Sequence, residues 1–528
     1  MQIKHILGHG LIALVFMMSS ALAAKDLASS TADHTQFKQL QQDFKTGPEV
    51  TKACLECHTE ASKQLEKTTH WTWQFDHPVS GQKLGKREVV NNFCGTVASN
   101  EPRCTSCHIG YGWTDLREPM EAGENVDCLV CHDTTGDYKK YPTAAGHPNY
   151  EPKAWPPKSD KIRPVADLKK VAQNVGASSR QNCGACHFYG GGGDGVKHGD
   201  LDSSLVNPPK ELDVHMSKDG GNFTCATCHN PKGHEVPGSR FLAKAKDMDG
   251  IDKPSNHYKD HTTCESCHGM TPHKEKEKLN DHTDKVACQT CHIPEYARGG
   301  IATKMWWDWS QGGKMKDGKP FVVKDDHGHQ IYNSKKGDFK LGENVVPEYE
   351  WFDGNITYTL RSDKIDPSKP VPINKFGGAY DDPKARIWPF KVMRGKQAYD
   401  TELNTLLASH VFGKDDSSYW NNFDWDKALK YGSDYLGEPF SGKFDFVETK
   451  YYWPQTHMVA PKDEALMCRD CHKEDGRLAS LQGFYMPGRG QTKTLDMLGF
   501  GLIGLTGTGV VIHGLLRFFT RRKKNGEG

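Results

Sequence analysis

Cys54-Leu55-Glu56-Cys57-His58 is the first of eight Cys-x-x-Cys-His pentapeptides, and the repetition of this unit decides the fold. The others are Cys104-Thr105-Ser106-Cys107-His108, Cys128-Leu129-Val130-Cys131-His132, Cys183-Gly184-Ala185-Cys186-His187, Cys225-Ala226-Thr227-Cys228-His229, Cys264-Glu265-Ser266-Cys267-His268, Cys288-Gln289-Thr290-Cys291-His292 and Cys468-Arg469-Asp470-Cys471-His472. Two thiols three positions apart can each form a thioether to one vinyl group of a haem, and the histidine that follows is then held against the iron. Zinc ribbons have no reason to place a histidine after every second cysteine, and redox dithiols come singly in a βαβ setting. The eight copies use sixteen of the seventeen cysteines and leave Cys94 over. The sequence reads as eight covalently bound haem c groups.

Composition agrees. Only 36% of the 528 residues are hydrophobic, with 53 Gly and 28 Pro, so the chain has little aliphatic material for a core of its size. Haem repairs the deficit, since each porphyrin is a large apolar plate on which side chains can pack. The expected fold is a multihaem cytochrome c, mainly α-helix and irregular coil around stacked haems. Some β is expected in residues 293–400, with a C-terminal transmembrane helix. The formal charge of +1 omits haem propionates, and nothing in it supports nucleic-acid binding.

The two ends differ in kind. Lys4, the apolar run Leu11–Met18 and Ala21-Leu22-Ala23 form a secretory signal, expected as residues 1–23 with cleavage after Ala23 or Ala24. Met497 to Leu516 is free of Asp, Glu, Lys and Arg and is long enough to span a bilayer as a helix. Arg517, Arg521, Arg522, Lys523 and Lys524 follow, the positive-inside pattern of a cytoplasmic end. The expected organisation is a periplasmic haem domain over 24–480, a linker over 481–494, a membrane helix over 495–519 and a basic tail over 520–528. His513 in the span is placed either to touch a membrane partner's quinone or haem, or to sit solvated at the membrane edge.

Seven motifs crowd into residues 54–292, preceded by a polar lead-in expected to be helical. The eighth follows a motif-free, aromatic-rich stretch, residues 293–467, whose aromatics read as haem and core packing. Within it, 343–360 shows β alternation, whereas 398–412 and 417–435 have helix-like apolar spacing. Each motif supplies one iron ligand, and an iron that only carries electrons needs a second. Eight of the 26 histidines lie in motifs, far from exhausting the supply. The distal candidates are His70, His198, His215, His234, His273, His282 and His457, with His77, His257 and His261 in reserve. Seven candidates for eight irons leave one iron to be served otherwise. Cys94, ten residues before Cys104, is spaced to lie near the second haem. A lone cysteine is usually buried and inert, but beside an electropositive iron its pKa would fall. The run Gly190–Gly195 reads as a close backbone approach to haem, and a calcium near Asp194 or Asp200–Asp202 is conceivable.

Asn182-Cys183-Gly184-Ala185-Cys186-His187-Phe188-Tyr189, continuing through Gly190–Gly193 to Asp194-Gly195-Val196-Lys197-His198-Gly199-Asp200-Leu201-Asp202, resembles the octahaem tetrathionate reductase family. So do Asn92-Phe93-Cys94, Trp388-Pro389-Phe390-Lys391 with Gly395-Lys396-Gln397, and Trp453-Pro454 with His457-Met458-Val459-Ala460-Pro461. The likeness covers about residues 50–480, and the membrane tail departs from the soluble members. It implies that the second haem, on Cys104, Cys107 and His108, is catalytic and takes a lysine nitrogen, the others being bis-histidine. It implies a pocket pairing Cys94 with an Asp-x-x-Lys element. That element is read as Asp167-Leu168-Lys169-Lys170, with Lys170 the ligand, Asp167 its neighbour, and Lys169 or Lys153 as alternatives. The implied activity is reduction of tetrathionate, nitrite or hydroxylamine, with a quinol-linked membrane cytochrome or a periplasmic redox protein as donor. The competing expectation is a non-catalytic conduit between the quinone pool and periplasmic or outer-membrane acceptors.

Overall fold

In the computed structural model, residues 31–118, 120–156, 159–247, 262–489 and 493–524 are described. The expected signal, the reserve ligands His257 and His261, and residues 525–528 lie outside them. The chain divides into two units, Met1–Ala465 and Leu466–Gly528, so the eighth motif falls in the second.

Up to the seventh motif the first unit is built of short helices and coil. The lead-in holds two 3-10 turns, His34–Gln36 and Lys38–Leu40, rather than a continuous helix. Helix α1 (Gly47–Leu55) starts with Pro48 and Glu49, where a missing N–H costs nothing and a carboxylate meets the positive helix end. Helix α2 (Leu168–Gln173) is capped by Asp167, and α3 (Arg180–His187) by a reciprocal box between Ser179 and Asn182. Motif cysteines recur on single turns such as Cys225–Cys228 and Cys288–His292. On a helical turn, residues three apart share a face, so both thiols point the same way. The spacing of the motif is therefore also its geometry.

Residues 303–454 form a nine-stranded mixed sheet: β1 (Thr303–Asp308), β2 (Val322–Lys324), β3 (Gln330–Asn333), β4 (Gly337–Gly342), β5 (Glu348–Phe352), β6 (Val371–Pro372), β7 (Arg386–Asp400), β8 (Thr405–Leu406) and β9 (Phe444–Pro454). The order is β2-β3-β4-β1-β7-β9-β6, with β5 and β8 also paired to β7. Strand β7 runs antiparallel to β9 from Phe390↔Pro454 to Asp400↔Phe444 and parallel to β1 at Gly395↔Trp307. A Cβ at Gly395 would run into the Trp307 carbonyl, so only glycine allows the two strands this approach. Strand β7 is almost continuously buried, as a strand covered on both faces must be.

The sheet thus reaches well past residue 400, and 398–412 is not helical. Ala398 and Asp400 finish β7, Asp400 accepts the N–H groups of Glu402 and Leu403 to turn the chain, and β8 returns. A short apolar run is compatible with either structure, and pairing with β9 decides it. The helical expectation over 417–435 is met in two pieces, Tyr419–Asn422 and α4 (Trp425–Leu436), broken where Phe423 turns left-handed and Asp424 caps the second helix. The main core lies on the sheet, where Trp307, Phe352, Trp388, Phe390, Tyr451 and Trp453 are all buried.

In the second unit the motif turn Cys468–Cys471 is followed by α5 (Lys493–Lys524). Its stretch Thr494–Arg521 is long and apolar enough to cross a membrane, with mean hydropathy 1.7 and nearly all its side chains exposed.

Phe390 is fully buried between β5 and β9 and stacks on Phe376 with ring centres 4.8 Å apart. Phe390→Ala should cost about 3–5 kcal/mol of stability. Val323→Ala, on the exposed β2, should stay within about 0.5 kcal/mol. Unfolding midpoints of the two holoprotein variants check the contrast.

Candidate functional site

Pairs of imidazoles dominate the first half of the molecule. The rings of His58 and His34 are 6.5 Å apart, His187 and His70 6.2 Å, and His229 and His457 6.3 Å. His268 and His215 are 6.0 Å apart, and His292 and His273 6.3 Å. A metal–imidazole bond of about 2.0 Å, plus about 1.1 Å from nitrogen to ring centre, on both sides of an iron gives about 6.2 Å. Each pair joins a motif histidine to one outside the motifs. His234 is the sixth such residue: His132 and His58 are the charges it feels, and its Nδ1 meets Gln64 Oε1 at 2.8 Å.

The outward nitrogens are anchored as metal-bound histidines require. Nδ1 of His132 lies 2.8 Å from Gly176 O, that of His229 2.9 Å from Pro237 O, and that of His472 3.0 Å from Pro487 O. A carbonyl on Nδ1 fixes the tautomer and leaves Nε2 for the iron. His457 does the same with a carboxylate, Nδ1 lying 3.1 Å from Asp200 Oδ2. Thiols of neighbouring motifs also touch: Cys54 with Cys128, Cys107 with Cys186, Cys183 with Cys225, and Cys264 with Cys288. These contacts join the first motif to the third, the second to the fourth, the fourth to the fifth, and the sixth to the seventh, the close spacing that electron transfer between haems needs. The polar groups fit haem as well. Arg386 is 1% exposed beside the sixth motif, bonded through Nη1 to Glu265, while its Nε and Nη2 have no protein partner. Such donors suit a propionate.

The second motif departs from this pattern. His108 is completely buried and stacked on Trp113 with ring centres 3.6 Å apart, between Trp71 and Trp73. Its Nε2, not its Nδ1, meets a carbonyl, Trp71 O at 2.7 Å, and Nδ1 is buried without a partner. Burial drives its pKa down to about 3, so the ring is neutral. The motif is pinned by a buried ion pair: Lys140 Nζ is 3.0 Å from Asp127 Oδ2 and donates to the His108 carbonyl at 2.5 Å.

Around this motif gather cations. Lys86 lies 4.7 Å from the Trp73 ring centre, and Lys197 5.0 Å from that of Trp453. Arg240 stands on the same Trp453 ring at 5.1 Å. Lys197 is half-buried near Cys107, and burial followed by repulsion from Arg240 and Lys86 holds its pKa well below the usual lysine range. A neutral amine in this position is a competent metal ligand. Lys197 closes an Asp194-Gly195-Val196-Lys197 element with the same spacing as the one read at 167–170. Gly191, at φ +76°, lies against the Phe93 ring, so the glycine run approaches Phe93 closely.

Cys94 is half-buried, its N–H donating to Asn91 Oδ1 at 3.1 Å. It lies near Cys104 of the second motif. Its own pKa is raised, not lowered: burial outweighs the nearby Lys336, Arg103 and Lys304.

Several expected site residues lie elsewhere. Asp167 caps α2 by accepting the Lys170 N–H at 2.9 Å, and Lys170 Nζ makes an exposed ion pair with Asp137 at 2.7 Å. Helix α2 packs in a separate cluster with Leu40 and Val50, whereas Cys94 packs against the sheet core. Lys169 faces Asp43 and Lys153 is exposed on a two-residue strand, so neither alternative joins Cys94. His77 uses both ring nitrogens structurally, with Phe241 O and with the N–H groups of Val79 and Ser80. His198 packs edge-on to Trp453 at 4.9 Å. His282, by contrast, keeps the Nδ1-to-carbonyl anchoring of the motif histidines, through Lys278 O at 2.9 Å. His34, absent from the expected ligands, is paired with His58; its signal was only its position just upstream of the first motif. Calcium finds no set of ligands: among the described residues no three His, Cys, Asp or Glu side chains converge as a metal site.

Comparison with known proteins agrees with this geometry. A family model described as "Cytochrome c bacterial" matches residues 304–475, and one described as "Cytochrome c554 and c-prime" matches 53–133. The crystal structure of octahaem cytochrome c from Shewanella oneidensis superposes with a TM-score of 0.72 at 42% identity, over 86% of this chain and 97% of that one. An uncharacterised protein of Archaeoglobus fulgidus is 25% identical over 276 residues, 42% of this chain and 89% of its own.

His34→Ala should convert one low-spin haem to high spin, seen as a new high-spin signal in electron paramagnetic resonance. His77→Ala should leave the haem spectrum unchanged.

Proposed function

The chain belongs to the multihaem c-type cytochromes, and on that premise we propose that it reduces a small anion at its second motif. The fuller reading is a membrane-anchored octahaem reductase facing the periplasm, with tetrathionate, nitrite or hydroxylamine as substrate. One haem would be ligated by Lys197, in the role first read at Lys170, and the other irons by paired histidines. The observation that carries the reading is the contrast between motifs. Where five motif imidazoles face a second imidazole at 6.0–6.5 Å, His108 turns its Nε2 to a backbone carbonyl and is surrounded by cations and Cys94.

Haem supplies stored electrons, one per iron, for a multi-electron reduction. The residues supply the rest. Lys86 and Arg240 would attract and orient the anion, and a half-buried cation does so more strongly than an exposed one. The Cys94 thiolate would attack a sulfane sulfur of tetrathionate, forming a Cys–S–S bond as the central S–S bond breaks and thiosulfate leaves; two electrons and a proton would then release the second thiosulfate and restore the thiol. Burial raises its pKa despite the cations around it, so attack requires that its proton be taken by a base. Burial pushes the Lys197 amine toward its neutral, metal-binding form. The Asp127–Lys140 pair fixes the backbone of the motif while Trp71, Trp73 and Trp113 exclude water from one side. Anchoring is supported by α5, whose apolar surface is exposed and followed by Arg521. The same helix is what a simple electron conduit would need.

Cys94→Ala and Lys197→Ala should each slow reduction of tetrathionate or nitrite by about a hundredfold or more, with a reduced viologen as donor. Lys170→Ala, which removes only a surface ion pair, should stay within about twofold. Wild-type rates in both of the first two variants would leave the conduit reading in possession.

A further inference from the structure

Cys94 is flanked by three basic side chains that come from three different parts of the chain. Lys304, on β1, lies 3.6 Å from the ring centres of both Trp307 and Phe339. Lys336, just before β4, lies 5.3 Å from the Trp420 ring centre. Arg103, just before the second motif, stands 5.9 Å from both Trp155 and Phe412. All three are half-buried, as is Cys94 itself. None is ion-paired among the described residues. The charges that Lys304 feels are Lys336, Cys94 and Lys391, and those that Lys336 feels are Cys94 and Arg103, with no carboxylate in either set. Trp420 adds an indole N–H, buried and without a partner.

Gathering like charges in a partly dehydrated place is unfavourable, and burial holds the pKa of Lys304 well below, and that of Lys336 below, the usual lysine range; an anion entering there would restore their charge. All three stand on aromatic faces, which orient the cation without neutralising it. The unspent donor of Trp420 completes a lining that has positive charge and N–H groups but no acceptor of its own charge class. We propose that Arg103, Lys304, Lys336 and the Trp420 N–H form an anion-binding pocket over Cys94 that admits small oxyanions and rejects cations. The proposal rests on the reading of Cys94 as the reactive thiol of the site, and it names the groups that select the substrate's charge. Two or three cations about one thiol suit an oxyanion with one or two negative charges better than a neutral molecule. They are distinct from Lys86, Lys197 and Arg240, which gather on Trp73 and Trp453.

The test reads charge directly at the thiol. Cys94 is the one cysteine outside the eight motifs, so thiol modification of the holoprotein reports on it, with Cys94→Ala as the blank. Two methanethiosulfonates of similar size are compared, one carrying a sulfonate and one a quaternary ammonium. The anionic reagent should react at least about tenfold faster. Lys304→Gln and Lys336→Gln should each lower that ratio about threefold or more, while Lys336→Arg retains it. A haem spectrum matching wild type shows that each variant is folded. A wild-type ratio near one, an unchanged ratio in both Gln variants, or no modification by either reagent overturns the pocket. A preserved ratio in a protein that reduces no oxyanion supports the pocket and removes the proposed reductase activity instead.

Discussion

The pairing of two imidazoles about 6 Å apart is the constraint on which the rest of this structure depends. It joins segments that the backbone alone would leave apart: His34 to His58, His70 to His187, His457 to His229. The last of these ties the end of β9 back to the motif region, through Asp200, which receives the N–H groups of Thr456 and His457 as well as the ring. With so few aliphatic residues, the motif region cannot be held by side-chain packing of its own. Its helices are too short to be stable alone. Bound to iron, such pairs would replace the missing core with crosslinks whose binding free energy is also folding free energy.

The sheet of residues 303–454 plays the opposite part. It has a conventional aromatic core, and it brings Lys304, Lys391 and Trp453 to the strands that border Cys94 and Lys197. Lys391 shows how far this goes. It is fully buried, and its Nζ donates to the Val196 carbonyl at 2.9 Å and the Lys197 carbonyl at 3.1 Å. A rigid strand thus positions the loop that carries Lys197, which is how a precise site is usually supported. Where five other motifs face a second imidazole, the second is enclosed by buried tryptophans and by basic groups whose mutual repulsion opposes folding. Unfavourable groupings of this kind are characteristic of functional sites.

Much of this was legible in the sequence, and the failures have physical causes. The motif announces its chemistry because spacing and covalent geometry coincide on one helical turn. His70, His215, His234, His273 and His457 could be picked by their surroundings, but not assigned to partners, because the partner lies up to hundreds of residues away. His34 escaped because it precedes every motif. Asp167–Lys170 and Asp194–Lys197 have the same spacing, and only burial separates a helix cap with a surface ion pair from a lysine enclosed beside Trp453. The stretch 398–412 was misread because apolar spacing in a short run cannot tell a strand from a helix. Its partner, β9, lies more than forty residues further on.

The central claim is that one iron among the motifs differs from the rest. Near-infrared magnetic circular dichroism of the oxidised holoprotein distinguishes bis-imidazole from imidazole–amine or amine-ligated iron. The account predicts bis-imidazole bands from all haems but one, and a separate band that disappears in Lys197→Ala. A spectrum composed only of bis-imidazole bands, unchanged by that substitution, would contradict it.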